Sequence, residues 1–126
     1  MKLMGRSIVT LLPFVPRFFV RWISKRYVAG ENLNDAVLVM KKLQSENTCF
    51  TVDVLGEEIR NMAEASYFLK EYNLLLDAIV ENKLDANISI KPTALGLLID
   101  REGACSNLMK LLKKASENDI FVRLDM

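Results

Sequence analysis

Hydrophobic residues along this chain recur with two periods, about 3.6 residues and 2, and the switches between them mark its elements. From Leu33 to Ser45 the apolar residues Ala36, Val39, Met40 and Leu43 share one helical face. The run Cys49 to Leu55 is dense in β-branched and aromatic residues and stops at Gly56, as a buried strand entering a loop does. From Met62 to about Asn82, Ala65, Phe68, Leu69, Tyr72, Leu75, Leu76 and Ile79 return at steps of three and four, the stripe of a helix buried on one side. Asn61, followed three residues later by Glu64, caps its start. Asn87 to Lys91 alternates, with Ile88 and Ile90 on one face and Ser89 and Lys91 on the other. A helix from about Glu102 to Glu117 turns Cys105, Leu108, Leu111, Leu112 and Ala115 inward, and a third strand covers Ile120 to Asp125.

The order strand, helix, strand, helix, strand behind a helical lead-in calls for parallel strands, because each connection holds a crossover helix and is too long for a hairpin. This is an α/β architecture. No internal repeat, low-complexity tract or linker divides the chain. Residues 1–47 are expected to form an N-terminal helical segment and residues 48–126 the strand-bearing unit. A third strand with nothing after it leaves an open parallel edge and a half-covered sheet, which complete proteins avoid, so the 126 residues are expected to be a fragment of a longer protein.

Lys2 and Arg6 precede the apolar stretch Ile8 to Val15, an order that imitates a signal peptide, but no small-x-small site follows and Arg17 and Arg21 interrupt it. The stretch also falls short of the ~20 apolar residues that cross a bilayer. Phe18, Phe19, Val20, Trp22 and Ile23 among Arg17, Arg21, Lys25 and Arg26 make an amphipathic helix. It is expected to pack on the body of the protein, with a resting place on a membrane surface as the alternative.

Composition narrows the chemistry. Lys+Arg 17 against Asp+Glu 16 gives no basic surface for nucleic acid. Cys49 and Cys105 form neither a CxxC pair nor a zinc spacing, and are expected as free thiols in the core of a reduced-compartment protein. The absence of histidine removes Ser–His and Cys–His nucleophiles and most transition-metal sites, so no metal is expected and any chemistry needs another source of reactivity, such as an organic cofactor. The glycines form no GxGxxG or Walker A run, and Lys110, Lys113 and Lys114 fit the solvent face of a helix.

Polar residues gather where the proposed strands end: Asp53 with Glu57, then Lys91, then Asp125. In barrels and open parallel sheets the carboxyl ends of the strands form the ligand site. Alternation puts Lys91 on the face opposite the helix-packing residues, where an ammonium needs an anionic partner. Asp53 or Asp125 would serve in a structural pair, and a substrate carboxylate would serve equally. Thr51, Ser89 and Thr93 would add hydroxyls to that side.

Three runs at these positions, Thr51-Val52-Asp53-Val54-Leu55-Gly56-Glu57, Ser89-Ile90-Lys91-Pro92-Thr93-Ala94-Leu95-Gly96-Leu97 and Val122-Arg123-Leu124-Asp125-Met126, closely resemble successive strand motifs of bacterial proline dehydrogenases. Arg26-Tyr27-Val28-Ala29-Gly30-Glu31 is similar to the family's lead-in, and the likeness runs over residues 26–126 in order and spacing. The resemblance implies a partial (β/α)8 TIM-type barrel: its first three parallel strands and two crossover helices, preceded by N-terminal helices. It implies noncovalent FAD, oxidation of L-proline to Δ1-pyrroline-5-carboxylate, and delivery of electrons to membrane quinone. By position, Lys91 matches the lysine that pairs with the proline carboxylate, and Asp125 the catalytic aspartate beside the flavin. Met126 matches the residue next to the isoalloxazine, and Glu57 the gate that pairs with an arginine of the last helix. Asp53 takes an orienting role. The implied location is the cytoplasm, peripheral at the inner face of the cell membrane where the N-terminal helix touches it.

Pro92 departs from the family, which often has another apolar residue there. The family's paired arginines, substrate tyrosines and most FAD contacts lie beyond the matched motifs, so the segment by itself is expected to be inactive. Two other readings stay open: a different flavin-dependent barrel oxidoreductase, and a non-catalytic membrane-surface or interaction module.

Overall fold

Three of the helices begin where the sequence offers a capping oxygen. In the structure, a computed structural model that describes residues 15–24 and 28–126, Asn32 accepts from the Asp35 amide at 3.0 Å to open α2 (Leu33–Ser45). Asn61 accepts from Glu64 at 3.0 Å to open α3 (Met62–Glu81), while Glu64 reaches back to the Arg60 amide at 2.9 Å. Asp100 accepts from Gly103 at 3.0 Å to open α4 (Arg101–Glu117). A shorter helix, α1 (Arg17–Ser24), precedes them. The expected apolar stretch from Ile8 lies outside the described residues apart from Val15, as do Lys25, Arg26 and Tyr27.

The same three helices end alike. Asn47, Lys83 and Asp119 take left-handed backbone angles, with φ of 55°, 51° and 55°. The next amide in each case reaches back five residues, Thr48 to Leu43, Leu84 to Ile79 and Ile120 to Ala115. This closure satisfies helix-end carbonyls and turns the chain directly into a strand. Helix, reversed residue, strand is thus one local solution used three times, as a repeating (β/α) architecture requires.

The strands β1 (Phe50–Asp53), β2 (Ala86–Ile90) and β3 (Val122–Leu124) form one sheet in the order β1-β2-β3, all parallel. Sequential parallel neighbours joined by crossover helices match successive strands of a (β/α)8 barrel. Val52, Ile88 and Val122 are in register on one face, and Asp53, Ser89 and Arg123 on the other. The first face meets the helices: Ile88 and Ile90 are fully buried with Tyr72, Leu76, Leu95 and Leu111, and Met40 joins α2 to this core. Gln44 ties α2 to the start of β2, accepting from the Asp85 amide at 2.8 Å and donating to the Lys83 carbonyl at 3.2 Å.

Several expectations need correction. β1 and β3 are shorter than the runs that suggested them and β2 begins and ends one residue earlier, so Lys91 and Asp125 stand just past β2 and β3. A 3-10 turn (Pro92–Leu95) follows Lys91, because Pro92 has no amide to continue the ladder. Cys49 and Cys105 are free, as expected, but both are exposed. The inward stripe of α4 runs through Ala104, Leu111 and Ala115, one position round from Cys105. Val39 of α2 is also exposed. Lys114 leaves the solvent face to bind Asp77 at 2.6 Å and the Asn73 carbonyl at 3.2 Å, clamping α4 to α3. Phe18 and Trp22 of α1 are largely exposed, at 74% and 67%.

Candidate active site

Parallel strands deliver their last residues to one rim. Asp53 ends β1, Lys91 follows β2, and the Asp125 amide donates to the Ile90 carbonyl at 3.0 Å, extending the β2–β3 ladder to the residue beside Lys91. Lys91 Nζ lies 3.9 Å from Asp53 Oδ2 and 3.7 Å from Glu57 Oε2. Its side chain is 26% exposed, so the ammonium is shielded but reachable.

Asp125 is held from two sides. Ser89 Oγ donates to its Oδ2 at 2.5 Å, and Arg123 binds both oxygens, Nε to Oδ1 at 3.0 Å and a terminal nitrogen to Oδ2 at 3.1 Å. Such a fork fixes the plane of a carboxylate. The Ser89 hydrogen bond, followed by that of Arg123 and the charges of Arg123 and Lys91, draws the Asp125 pKa below its ordinary value. The carboxylate is therefore ionised at neutral pH.

Asp53 takes a further partner from the core: the hydroxyl of Tyr72, a fully buried residue of α3, donates to its Oδ1 at 3.0 Å. Burial first, then the Asp53 charge and hydrogen bond, push the Tyr72 pKa far above the tyrosine norm. Beyond β1, Leu55, Gly56, Glu57, Glu58 and Ile59 arch over an open crevice of about 600 Å³, floored by Tyr67, Phe68 and Lys91. Gly56 allows that arch. Its φ is +134°, and a Cβ there would sit 2.3 Å from the Phe68 ring.

Asp53, Glu57, Lys91 and Asp125 are thus brought together on one rim. Ser89 joins them on the sheet face, whereas Thr51 is exposed farther back on β1 and Thr93 lies in the 3-10 turn. Met126 follows Asp125, fully exposed. Sequence reasoning missed Arg123 and the second role of Tyr72. Period 2 places Arg123 on the face of Asp125, and a buried tyrosine hydroxyl needs a partner. Among the described residues no group of His, Cys, Asp or Glu is arranged to hold a metal ion.

No family model matches the chain. It is 34% identical over 117 residues to proline dehydrogenase 1 of Bacillus subtilis subsp. natto, covering 93% of this chain and 39% of that protein. Against the proline dehydrogenase of Deinococcus radiodurans the identity is 28% over 107 residues, covering 82% of this chain and 34% of that one. The chain spans about two fifths of the length of the Bacillus relatives it matches. Among solved structures it superposes on proline utilization A (PutA) from Bdellovibrio bacteriovorus, crystallised after inactivation by N-propargylglycine. The TM-score is 0.71 and the identity 24%, over 82% of this chain and 13% of that one. The strand-motif resemblance to bacterial proline dehydrogenases therefore extends over most of the chain, and the fold is shared.

Proposed function

We propose that this chain supplies the first three strands of a flavin-dependent (β/α)8-barrel proline dehydrogenase, with residues 1–47 as helices ahead of the barrel and 48–126 as its opening portion. The observation that carries the reading is a shielded lysine facing Asp53 and Glu57, with Asp125 held by Ser89 and Arg123 on the same carboxyl rim of a parallel sheet, in a chain related along most of its length to proteins named proline dehydrogenase.

Proline carries a carboxylate and a secondary amine, and oxidation at the carbon beside nitrogen places positive charge on that nitrogen. Lys91 binds the carboxylate and fixes the ring. Asp125, oriented by Ser89 and Arg123, sets its negative charge where the iminium develops, which lowers the barrier more than it favours the ground state. Glu57 rides on the exposed arch and gates the crevice, releasing Lys91 as the substrate carboxylate arrives. Bound FAD would supply the two-electron acceptor. The residues present fit one edge of it: Ser89, Arg123 and Asp125 offer polar groups on the uncovered face, with Met126 beside them, and no glycine-rich cradle for a pyrophosphate occurs in the sequence. The remaining FAD contacts fall to the rest of the enzyme, so this segment alone neither retains flavin nor turns over proline. Electrons pass to quinone at the inner face of the membrane of a cytoplasmic enzyme, with the exposed aromatic side of α1 as the peripheral contact.

The complete protein, purified and assayed with proline and a quinone analogue, should show a flavin spectrum that proline bleaches, and N-propargylglycine should inactivate it. A correctly folded complete protein that retains no flavin removes this reading.

A further inference from the structure

The Tyr72 hydroxyl sits where phenylalanine would fill the same space, and nothing in the mechanism above uses it. Its ring is fully buried in the core of α3 and the sheet. The phenolic oxygen donates to Asp53 Oδ1, and the other oxygen of the same carboxylate, Oδ2, is the one that faces Lys91 Nζ at 3.9 Å. The carboxylate is thereby divided between a buried donor and the cation of the site. A free ammonium and carboxylate this close, in a partly shielded place, close to about 2.8 Å. Here the gap stays wider.

We propose that Tyr72 is a positioning residue that tethers Asp53, so that Asp53 orients Lys91 without closing on it and the ammonium remains available to an incoming carboxylate. The identity of that carboxylate rests on the dehydrogenase reading; the tether does not. Asp53 carries the same charge as the ligand and is permanently attached, so its local concentration exceeds that of any diffusing carboxylate. Left untethered, it would compete for Lys91. Tyr72 suits the task because the core packing of α3 immobilises its ring, giving the hydroxyl a fixed origin. Glu57 has no comparable anchor and lies on an exposed loop, from which it can withdraw.

The test uses the complete flavoprotein titrated with cyclopentanecarboxylate, which has the ring and carboxylate of proline but no amine to oxidise. Tyr72→Phe should raise its Kd about tenfold, the size expected for loss of a hydrogen bond to a charged group, with flavin content and Tm close to the parent. In an Asp53→Asn background the same substitution should change Kd by less than about twofold, because the competing charge is gone. An unchanged Kd, or an equal loss in both backgrounds, overturns the proposal. So does a rise in Kd accompanied by a parallel fall in flavin content and Tm, which would leave Tyr72 a core residue only. If the parent protein binds neither proline nor cyclopentanecarboxylate, the dehydrogenase reading fails. The tether is then decided by a crystal structure of Tyr72→Phe: closure of the Asp53–Lys91 gap to a direct ion pair supports it, and an unchanged gap rejects it.

Discussion

Replacing Lys91 by alanine separates a binding role from a structural one, because the two predict different losses. The ammonium stands 3.9 Å from Asp53 and 3.7 Å from Glu57 with its side chain 26% exposed. Its loss leaves Asp53 still hydrogen-bonded to Tyr72, and Glu57 largely in solvent at 56% exposure. Neither carboxylate is stranded, so stability should change by less than ~1 kcal/mol, as for other solvent-screened pairs. Substrate binding is different. Opposite charges at about 4 Å are worth about 4 kcal/mol at an effective dielectric near 20, and partial exposure at the rim halves that to about 2 kcal/mol. The expected result is therefore a loss of proline affinity of about thirtyfold. Anaerobic titration of the complete flavoprotein, following flavin bleaching against proline concentration, measures it, and the visible spectrum reports flavin content in the same sample. Flavin content falling in step with proline affinity would mean that Lys91 holds the fold. An unaltered proline dependence would mean that the carboxylate binds elsewhere. Either result refutes the reasoning.

Three further outcomes follow from the same geometry. A carboxyl whose folded pKa is depressed stabilises the fold fully above the unfolded carboxylate value of about 4 and loses that contribution as pH falls through the lower folded value; Ser89→Ala, which removes the largest cause of the shift at Asp125, should move the Asp125 titration upward in carboxyl-carbon NMR and move the acid limb of the rate profile to higher pH, and no movement sinks the argument. Ile88→Ala empties a fully buried position in the central strand, for which ~2–5 kcal/mol of lost stability is expected; a denaturation midpoint that shifts by less than a quarter of that would show the core to be loosely packed. The exposed pair Phe18 and Trp22 on α1 should carry anionic-vesicle binding, so changing both to glutamate should abolish co-sedimentation, and binding that survives the change excludes α1 as the contact.

Much of this architecture was legible because burial and period coincide. In β2, Ile88 and Ile90 face helices while Ser89 faces the site, and the alternation that results is visible in five residues. The Asn61 cap was equally plain, since its side chain serves the Glu64 amide three residues on. Strand ends were harder. Lys91 continues the alternation of β2, yet the strand ends before it because Pro92 cannot donate to a neighbour, a fact about hydrogen bonding that periodicity does not contain. Cys105 was misplaced because Ala104 and Cys105 both fit a stripe through Leu108 and Leu111, and only packing against α3 selects between them. Arg123 and Tyr72 illustrate a different limit. Each obeys its element's pattern, one as a polar strand residue and one as a core aromatic, and their significance lies in their partners, Asp125 two residues on for Arg123 and Asp53 19 residues away for Tyr72.

The two charged groups of the rim are not held alike. Lys91 leaves a central strand whose residues Ala86, Ile88, Ser89 and Ile90 are all buried and which is paired on both edges, so its backbone origin is rigid before any ligand arrives. Asp125 follows β3, a three-residue strand paired to β2, with the Arg123 and Leu124 side chains exposed among the described residues. Its carboxylate depends on side chains, Ser89 from the rigid strand and Arg123 from its own. Ser89 is therefore the link that transfers the order of β2 to the Asp125 carboxylate. Substitution there should disturb Asp125 and leave Lys91 in place, whereas substitution at Tyr72 should do the reverse, and the two halves of the rim should respond as independent units in a double-mutant cycle.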